Sequence, residues 1–249
     1  MRLKTNLHFH SSDDPRHQRS IYYDTKKGID HAASVGIEAL ALTFHHTFAW
    51  TPELAEYASK KGVLLIPGVE LYIKEERKKG VARHVIALNC TKEIEKVLTF
   101  KELEIYKKEH PKVFVIAPHP YFYGHINLKE LLEKYIHVFD AIEHSWYYST
   151  LFNRNKSGQR IAEKYNLPFI ATSDTHHLKY LGSDYALVDV KEKSAVALFD
   201  AIKQKQFKNI THPKNFFIDM FLTQGKFFAI DHHYHGIFRK DYHPRKINP

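Results

Sequence analysis

The stretch Leu3-Lys4-Thr5-Asn6-Leu7-His8-Phe9-His10-Ser11 decides how this chain is read. Residues 3–9 read as a strand that runs into a polar loop over 11–20. Side chains two apart on a strand point the same way, so the imidazoles of His8 and His10 can reach one ion. A single His-x-His is weak evidence, because two solvent-exposed loop histidines are the commoner outcome. What matters is whether other strand ends carry the same chemistry.

Working outward, short apolar runs alternate with helical patterns. Residues 25–35 read as a helix stopped by Gly36, and 37–43 as a buried strand. Thr51-Pro52-Glu53 supplies a capping hydroxyl, a first-turn proline and an acid, which opens a helix that runs to Lys61 and stops at Gly62. Strands are expected at 63–66, 69–73, 84–88, 113–117, 139–142, 169–172 and 185–190. Helices are expected at 91–108, 128–135, 151–165 and 194–205. Repeated strand–helix alternation predicts an α/β fold with a parallel sheet. In a parallel barrel the functional site lies at the C-terminal ends of the strands. No Gly-, Pro- or Ser-rich linker divides the chain, so residues 1–212 read as one barrel. Residues 213–249 depart from the pattern: first aromatic (Phe216, Phe217, Phe221, Phe227, Phe228), then Asp231-His232-His233-Tyr234-His235. They read as a C-terminal extension packed on the barrel, not an independent domain.

The strand ends repeat the chemistry of the opening stretch. His45 and His46 follow the second strand, Glu70 follows Pro67-Gly68, His119 sits in Pro118-His119-Pro120, and Asp174 and His176 follow the strand at 169–172. His84 is the irregular one, because it begins its strand. Randomly scattered, the 19 histidines of this chain would seldom fall this way. Imidazole with carboxylate suits Zn, Mn or Fe. Cys90 is the sole cysteine, which excludes an intrachain disulfide and a multi-thiolate zinc site. These donors outnumber the four to six that one ion can use, so two or three divalent metal ions are expected, bridged by Glu70 or Asp174.

Composition sets outer bounds. With 249 residues, 43% hydrophobic and 14% aromatic, the chain can build a core, which excludes wholesale disorder. No run approaches the roughly 20 apolar residues of a membrane span. Met1 to Thr5 is too polar for a secretory signal, so a cytoplasmic location is expected. The 37 Lys and Arg against 28 Asp and Glu give a net charge of +9, which permits an anionic substrate, although mixed-sign runs such as Glu75-Glu76-Arg77-Lys78-Lys79 read as solvated helix faces.

Six motifs in order resemble the PHP (polymerase and histidinol phosphatase) family: Leu7-His8-Phe9-His10-Ser11, Ala41-Leu42-Thr43-Phe44-His45, Gly68-Val69-Glu70, Arg83-His84-Val85, Ala117-Pro118-His119-Pro120 and Thr172-Ser173-Asp174-Thr175-His176. The resemblance spans about residues 3–212. It implies a distorted TIM-like barrel of seven β/α units and a trinuclear cluster held by His8, His10, His45, Glu70, His84, His119, Asp174 and His176. It also implies a metal-dependent phosphoesterase in which His176 and Asp174 serve catalysis and a metal-activated water attacks phosphorus. The substrate would be a small phosphomonoester, a nucleotide or an oligonucleotide end. Two other readings share the barrel: an amide hydrolase, and an RNA-binding subunit like that of archaeal RNase P.

The chain departs from the family pattern in three places. Phe44 stands where an aspartate is usual, and Phe44→Asp is expected to be tolerated. The first-loop ligand is contested by Asp13, Asp14 and His17, with the aspartate pair favoured. Pro120-Tyr121-Phe122-Tyr123 replaces the arginine that often follows the His-Pro motif, which predicts a more aromatic pocket able to stack a ring. Glu143, His144 and His177 are further candidates beside the site, and Arg154, Lys156 and Arg160 open a helix where an anion could bind.

Overall fold

The computed structural model describes residues 1–122 and 126–219. Among these, nine strands form one sheet: β1 (Arg2–Phe9), β2 (Ala39–Leu42), β3 (Leu64–Ile73), β4 (Arg83–Leu88), β5 (Phe114–Ala117), β6 (Ala141–His144), β7 (Phe169–Ala171), β8 (Tyr185–Asp189) and β9 (Phe207–Ile210). Their order is β7-β6-β5-β4-β3-β2-β1-β8-β9. The helices are α1 (Thr25–Ser34), α2 (Pro52–Lys60), α3 (Phe100–Glu109), α4 (Glu130–Lys134), α5 (Asn155–Lys164) and α6 (Ala195–Lys203). The result is a mixed α/β, nearly closed barrel.

Alternation along each strand sorts side chains to two faces. Leu3, Leu7, Ala39, Ala41, Ile66, Ile86, Phe114, Ile116 and Ile170 share the interior core, which α6 covers at one end. Leu40, Leu42 and Leu65 pack outward under α1 and α2, and Val69, Leu71, Val85, Val115 and Ile142 under α3 and α4. Strand β1 changes phase. Leu3 and Leu7 face inward, yet Phe9 lies in the outer core, and the β1–β2 register shifts between Asn6 and Phe9. This bulge turns His8 and His10 into the barrel mouth. Phe9 is then pressed against Gly28 of α1, where a Cβ would come within 2.2 Å of the ring.

The sheet is not wholly parallel. β1–β2, β2–β3, β5–β6 and β6–β7 are parallel, but β3–β4, β4–β5, β1–β8 and β8–β9 are antiparallel. The link from β3 to β4 is too short for a helical crossover, so the two strands form a hairpin. That reversal explains His84: the start of β4 lies beside the end of β3, with Tyr72 opposite His84. The two strands expected at 63–66 and 69–73 are one, continuous through Pro67-Gly68. A Cβ at Gly68 would crowd the Leu88 side chain at 2.6 Å and the Leu42 carbonyl oxygen at 3.0 Å. The helix expected at 91–108 is broken, and Thr99 and Glu102 form a capping box that starts α3 afresh. Strand β9 lies where no element was expected.

The curled sheet brings β7 against β8 and β9. Side chains make the seam. Asn209 acts as a substitute peptide: its Nδ2 donates to the Phe169 carbonyl at 2.7 Å, and its Oδ1 accepts from the Ala171 amide at 2.9 Å. Just beyond β7, Thr175 N donates to His8 O at 3.2 Å and His10 N donates to Thr175 O at 3.3 Å. The segment after β9 lies on the barrel through Lys214, buried in an ion pair with Asp184, and through Asp219, which accepts from Tyr180 at 2.7 Å. Phe221, Phe227, Phe228 and the histidines at 232, 233 and 235 lie outside the described residues, as does Tyr123. Among the described residues no helix is long and apolar enough to cross a membrane.

Candidate metal centre

Glu70 is the hub of the barrel mouth. It sits on β3, 1% exposed, and offers its two oxygens to different imidazoles. Oε1 lies 2.6 Å from His84 Nδ1 and 3.2 Å from His119 Nε2. Oε2 lies 3.4, 3.2 and 3.1 Å from Nε2 of His8, His10 and His45. Asp174 approaches from the far side of the seam, with Oδ1 3.4 Å from His8 Nε2 and 3.5 Å from His10 Nε2. His176 Nε2 meets His17 Nε2 at 3.1 Å.

The backs of these rings show a common design. His8 Nδ1 donates to Glu143 at 2.9 Å. His10 and His45 Nδ1 both donate to Asp14 Oδ2, at 3.1 and 2.9 Å. His119 Nδ1 donates to Asn127 Oδ1 at 2.6 Å, and His176 Nδ1 to the Asp174 carbonyl at 2.9 Å. His17 Nδ1 lies 3.0 Å from Ser20 Oγ. Five rings thus give Nδ1 to an oxygen that can only accept, which leaves Nε2 as the nitrogen with the lone pair, turned inward, while the Ser20 hydroxyl facing His17 can serve either way. His84 differs: its Nδ1 is close to Glu70, but neither of its nitrogens has hydrogen-bond geometry to any partner, and both are buried.

These observations test whether divalent cations fit. Nε2 atoms face each other at 3.1 Å in two pairs, His8–His10 and His17–His176. Two lone pairs at that distance repel unless a cation or a proton lies between them. Donor atoms within 4.8 Å of one another form four groups: His10, Asp14, His17 and His45; His8, His10 and Asp174; His8, Glu70 and His119; His45, Glu70 and His84. The donor set is nitrogen and oxygen without sulfur, which fits Zn, Mn or Fe.

Without cations, protons must do the balancing. Burial disfavours charge on His8, His10 and His119, but the neighbouring carboxylates outweigh it: His8 is raised well above the usual imidazole range, His10 to about 10 and His119 to about 9. For His45 and His176 burial prevails and holds them at about 3 and about 4, and His17 is also driven well down. Burial penalises the charged forms of Asp14, Glu70 and Asp174, yet the surrounding imidazoles keep all three well below the usual carboxylate range. Backbone strain gathers here as well. His46, His119 and Asp174 have φ of 47°, 28° and 39°, in the left-handed region that costs on the order of 1–3 kcal/mol per residue.

The cluster brings together His8, His10, Asp14, His45, Glu70, His84, His119, Asp174 and His176. Asp13 is the exception. It is exposed, and its Oδ2 accepts from Thr25 N and Oγ1 at 2.8 and 2.7 Å, so it anchors the start of α1 instead. His17, the disfavoured first-loop candidate, is in the cluster. Glu143 accepts from His8, from the His119 amide at 2.5 Å and from Thr172 Oγ1. Its position at the end of β6 was the available signal; nothing in the sequence marks Asn127. His144 points outward, edge-on to Tyr148 and Phe169, and His177 packs edge-on to Tyr180. Arg154 lines a cleft beside His119, whereas Lys156 and Arg160 are exposed on α5.

Known proteins share this nearly closed barrel. A family model described as PHP-associated matches residues 152–207. No curated protein matches the chain significantly in sequence. Among solved structures, the chain is similar to a two-domain protein containing a predicted PHP-like metal-dependent phosphoesterase from Bacteroides vulgatus ATCC 8482, at 20% identity and TM-score 0.63, covering 85% of this chain and 65% of that one. It is similar to PsfC from Pseudomonas syringae PB-5123, at 16% identity and TM-score 0.59, covering 94% and 97%. It is also similar to the lesion-specific endonuclease PfuEndoQ from Pyrococcus furiosus, at 16% identity and TM-score 0.60, covering 84% and 58%. At these identities the likeness is one of fold, and the chain spans less than two thirds of the first and third of these proteins. The matched segment is less than a quarter of the chain, and what the solved structures share with it is the fold, a PHP-type TIM-like barrel.

Proposed function

We propose that this chain is a metal-dependent phosphoesterase. The observation that carries the reading is the set of imidazoles locked through Nδ1 with Nε2 turned on Glu70, on Asp174 or on one another. His8, His10, His17, His45, Glu70, His84, His119, Asp174 and His176 would hold two or three divalent cations. When bound, such cations supply Lewis acidity toward a phosphoryl oxygen and lower the pKa of water. The chain's own groups do the rest. Glu70 presents one oxygen to each half of the cluster, while Asp14, Glu143 and Asn127 fix the rings. Asp174, with 22% of its side chain exposed against 1% for Glu70 and 0% for Asp14, is the carboxylate of the cluster that reaches solvent. Asp174, with His176 beside it, is therefore the ligand nearest incoming substrate; a carboxylate or imidazole held on a cation is a poor acid, so neither is assigned the leaving-group proton.

The likeness in fold to a predicted phosphoesterase and to an endonuclease favours phosphate esters: a small phosphomonoester, a nucleotide or an oligonucleotide end. The test is a panel of these three classes, with amides alongside, and with Mn, Zn and Fe supplied separately. Metal-dependent phosphate release supports the reading. Turnover of amides alone would make the chain an amide hydrolase. Tight RNA binding at substoichiometric metal, without turnover, would make it a binding barrel.

A further inference from the structure

Asn6 lies on β1 two residues before His8, fully buried where the sheet closes on itself. Its side-chain amide is engaged on both sides. Oδ1 accepts from the backbone amides of His8 and Ser173, both at 3.3 Å. Nδ2 donates to Ser173 Oγ at 2.5 Å and faces the carbonyl oxygens of Leu181 and Asp184 at 3.3 and 3.4 Å. One side chain thus touches β1, which carries His8, the loop after β7, which carries Asp174, and the turn that follows that loop. The set of partners demands an amide. Aspartate keeps the shape but turns an oxygen toward two carbonyl oxygens. Leucine fills the space but leaves every one of these buried partners without a bond, which is costly in a dry interior.

Tyr23 works from the other end of the same loop. It is buried just before α1, and its hydroxyl donates to the Thr175 carbonyl at 3.1 Å. Thr175 is also tied to β1 through His8 O and His10 N, and its Oγ1 lies against Ser173 Oγ. Asp174 is therefore held between two pinned neighbours. Its own φ is 39°, a left-handed conformation that a residue other than glycine keeps only where its surroundings enforce it. In that conformation its carboxylate crosses the seam to His8 and His10. We propose that Asn6 is a positioning residue: together with Tyr23 it clamps Ser173 and Thr175, so that the strained backbone of Asp174 keeps its carboxylate aimed at the cation shared with His8 and His10. It rests on the metal-centre reading and adds to it two side chains that lie behind the ligands.

The test uses chelator-treated full-length protein. Titration calorimetry with Mn compares the parent with Asn6→Asp, Asn6→Leu and Tyr23→Phe, each alone and combined with Asp174→Ala. Hydrogen exchange on the same proteins without metal reads the clamp directly, and circular dichroism checks folding. We expect both Asn6 variants to weaken one Mn-binding step by about tenfold or more. Tyr23→Phe, which removes a single hydrogen bond, should weaken that step roughly threefold. Once Asp174→Ala has removed the carboxylate that the clamp aims, the Asn6 substitutions should change the remaining affinity by no more than about twofold; a residue that only stabilises the barrel would keep its full effect in both backgrounds. Exchange at 173–175 should quicken in the Asn6 variants while β2 and β3 stay protected. Should Asn6→Leu fail to fold, Asn6→Asp and Tyr23→Phe carry the same comparison. Unchanged Mn affinity in these variants, or equal losses with and without Asp174, would overturn the proposal. A parent that takes up no divalent cation sinks the metal-centre reading alone. Exchange then decides the clamp: quickening confined to 173–175 upholds it, and unaltered exchange there removes it.

Discussion

Glu143 shows how much a residue can matter without facing the centre of the cluster. Its carboxylate takes the His8 ring, the His119 amide and the Thr172 hydroxyl at once. Replacing it by glutamine keeps the shape but weakens the acceptor behind His8. Glu143→Gln should lower divalent-cation affinity by roughly 10- to 100-fold, read by titration with Mn or Zn; unchanged affinity would remove the positioning role. His8→Ala and Asp174→Ala should abolish turnover while leaving the far-ultraviolet dichroism nearly intact, and full activity in both would discard the cluster as the active centre. Phe44 reverses an expectation. The family pattern makes aspartate look acceptable there, but the ring is fully buried among Phe9, Ile21 and Leu42. Phe44→Asp should cost about 4 kcal/mol or more, since it leaves a void and an unpaired carboxylate; a urea midpoint equal to the parent's would refute this. At this scale the histidine positions were legible because strand ends announce themselves. The choice of Asp14 and His17 over Asp13 was not, because it depends on which carboxylate the start of α1 captures.

Among the elements, β1 and β4 do the most to build the site. A strict two-residue alternation carried up β1 from Leu3 and Leu7 would leave His8 and His10 on the outer face; the register shift before Phe9 sends them inward. Gly28 makes room for the ring that this turns outward. Gly28→Ala should therefore destabilise the fold by about 1–3 kcal/mol through overpacking, seen as a lower thermal midpoint. A neutral result would mean that α1 can slide away from Phe9. Most strands and helices could be read from apolar runs and caps. Their directions could not, because β3 and β4 have the same apolar pattern whether they run parallel or not. β9 escaped because its pairing residues, Phe-Lys-Asn-Ile, are only partly buried and follow a helix without a turn signal.

For the molecule as a whole, the cluster sets how stability follows pH in the absence of metal. His10 and His119, raised to about 10 and about 9, hold protons that an unfolded chain with imidazoles near 6.5 would release. Their contribution is complete below pH 6.5 and is lost as pH rises through 9 and 10. His45 and His176, held at about 3 and about 4, work in the opposite sense, favouring the fold above pH 6.5 and losing that effect as pH falls toward 3 or 4. The depressed carboxylates of Asp14, Glu70 and Asp174 reinforce the loss in acid. Chelator-treated protein should therefore melt highest near pH 6.5 and at lower temperatures on either side. A melting temperature that is flat from pH 4 to 10 would show that the cluster's ionisation is uncoupled from folding.

The side-chain seam has a mechanical consequence at the same scale. The barrel closes through the Asn209 amide, the Asn6–Ser173 hydrogen bonds and a few backbone bonds near Thr175, and the donor cluster straddles that joint, with His8 and His10 on one bank and Asp174 and His176 on the other. An ion gripped from both banks works as a rivet. Stripping it should loosen β7 and β9 ahead of the rest, so that hydrogen exchange at 169–176 and 207–210 quickens while β2 and β3 stay protected. The hoop would then spring open at its clasp, and the protein's hold on its metal would double as the latch of its architecture.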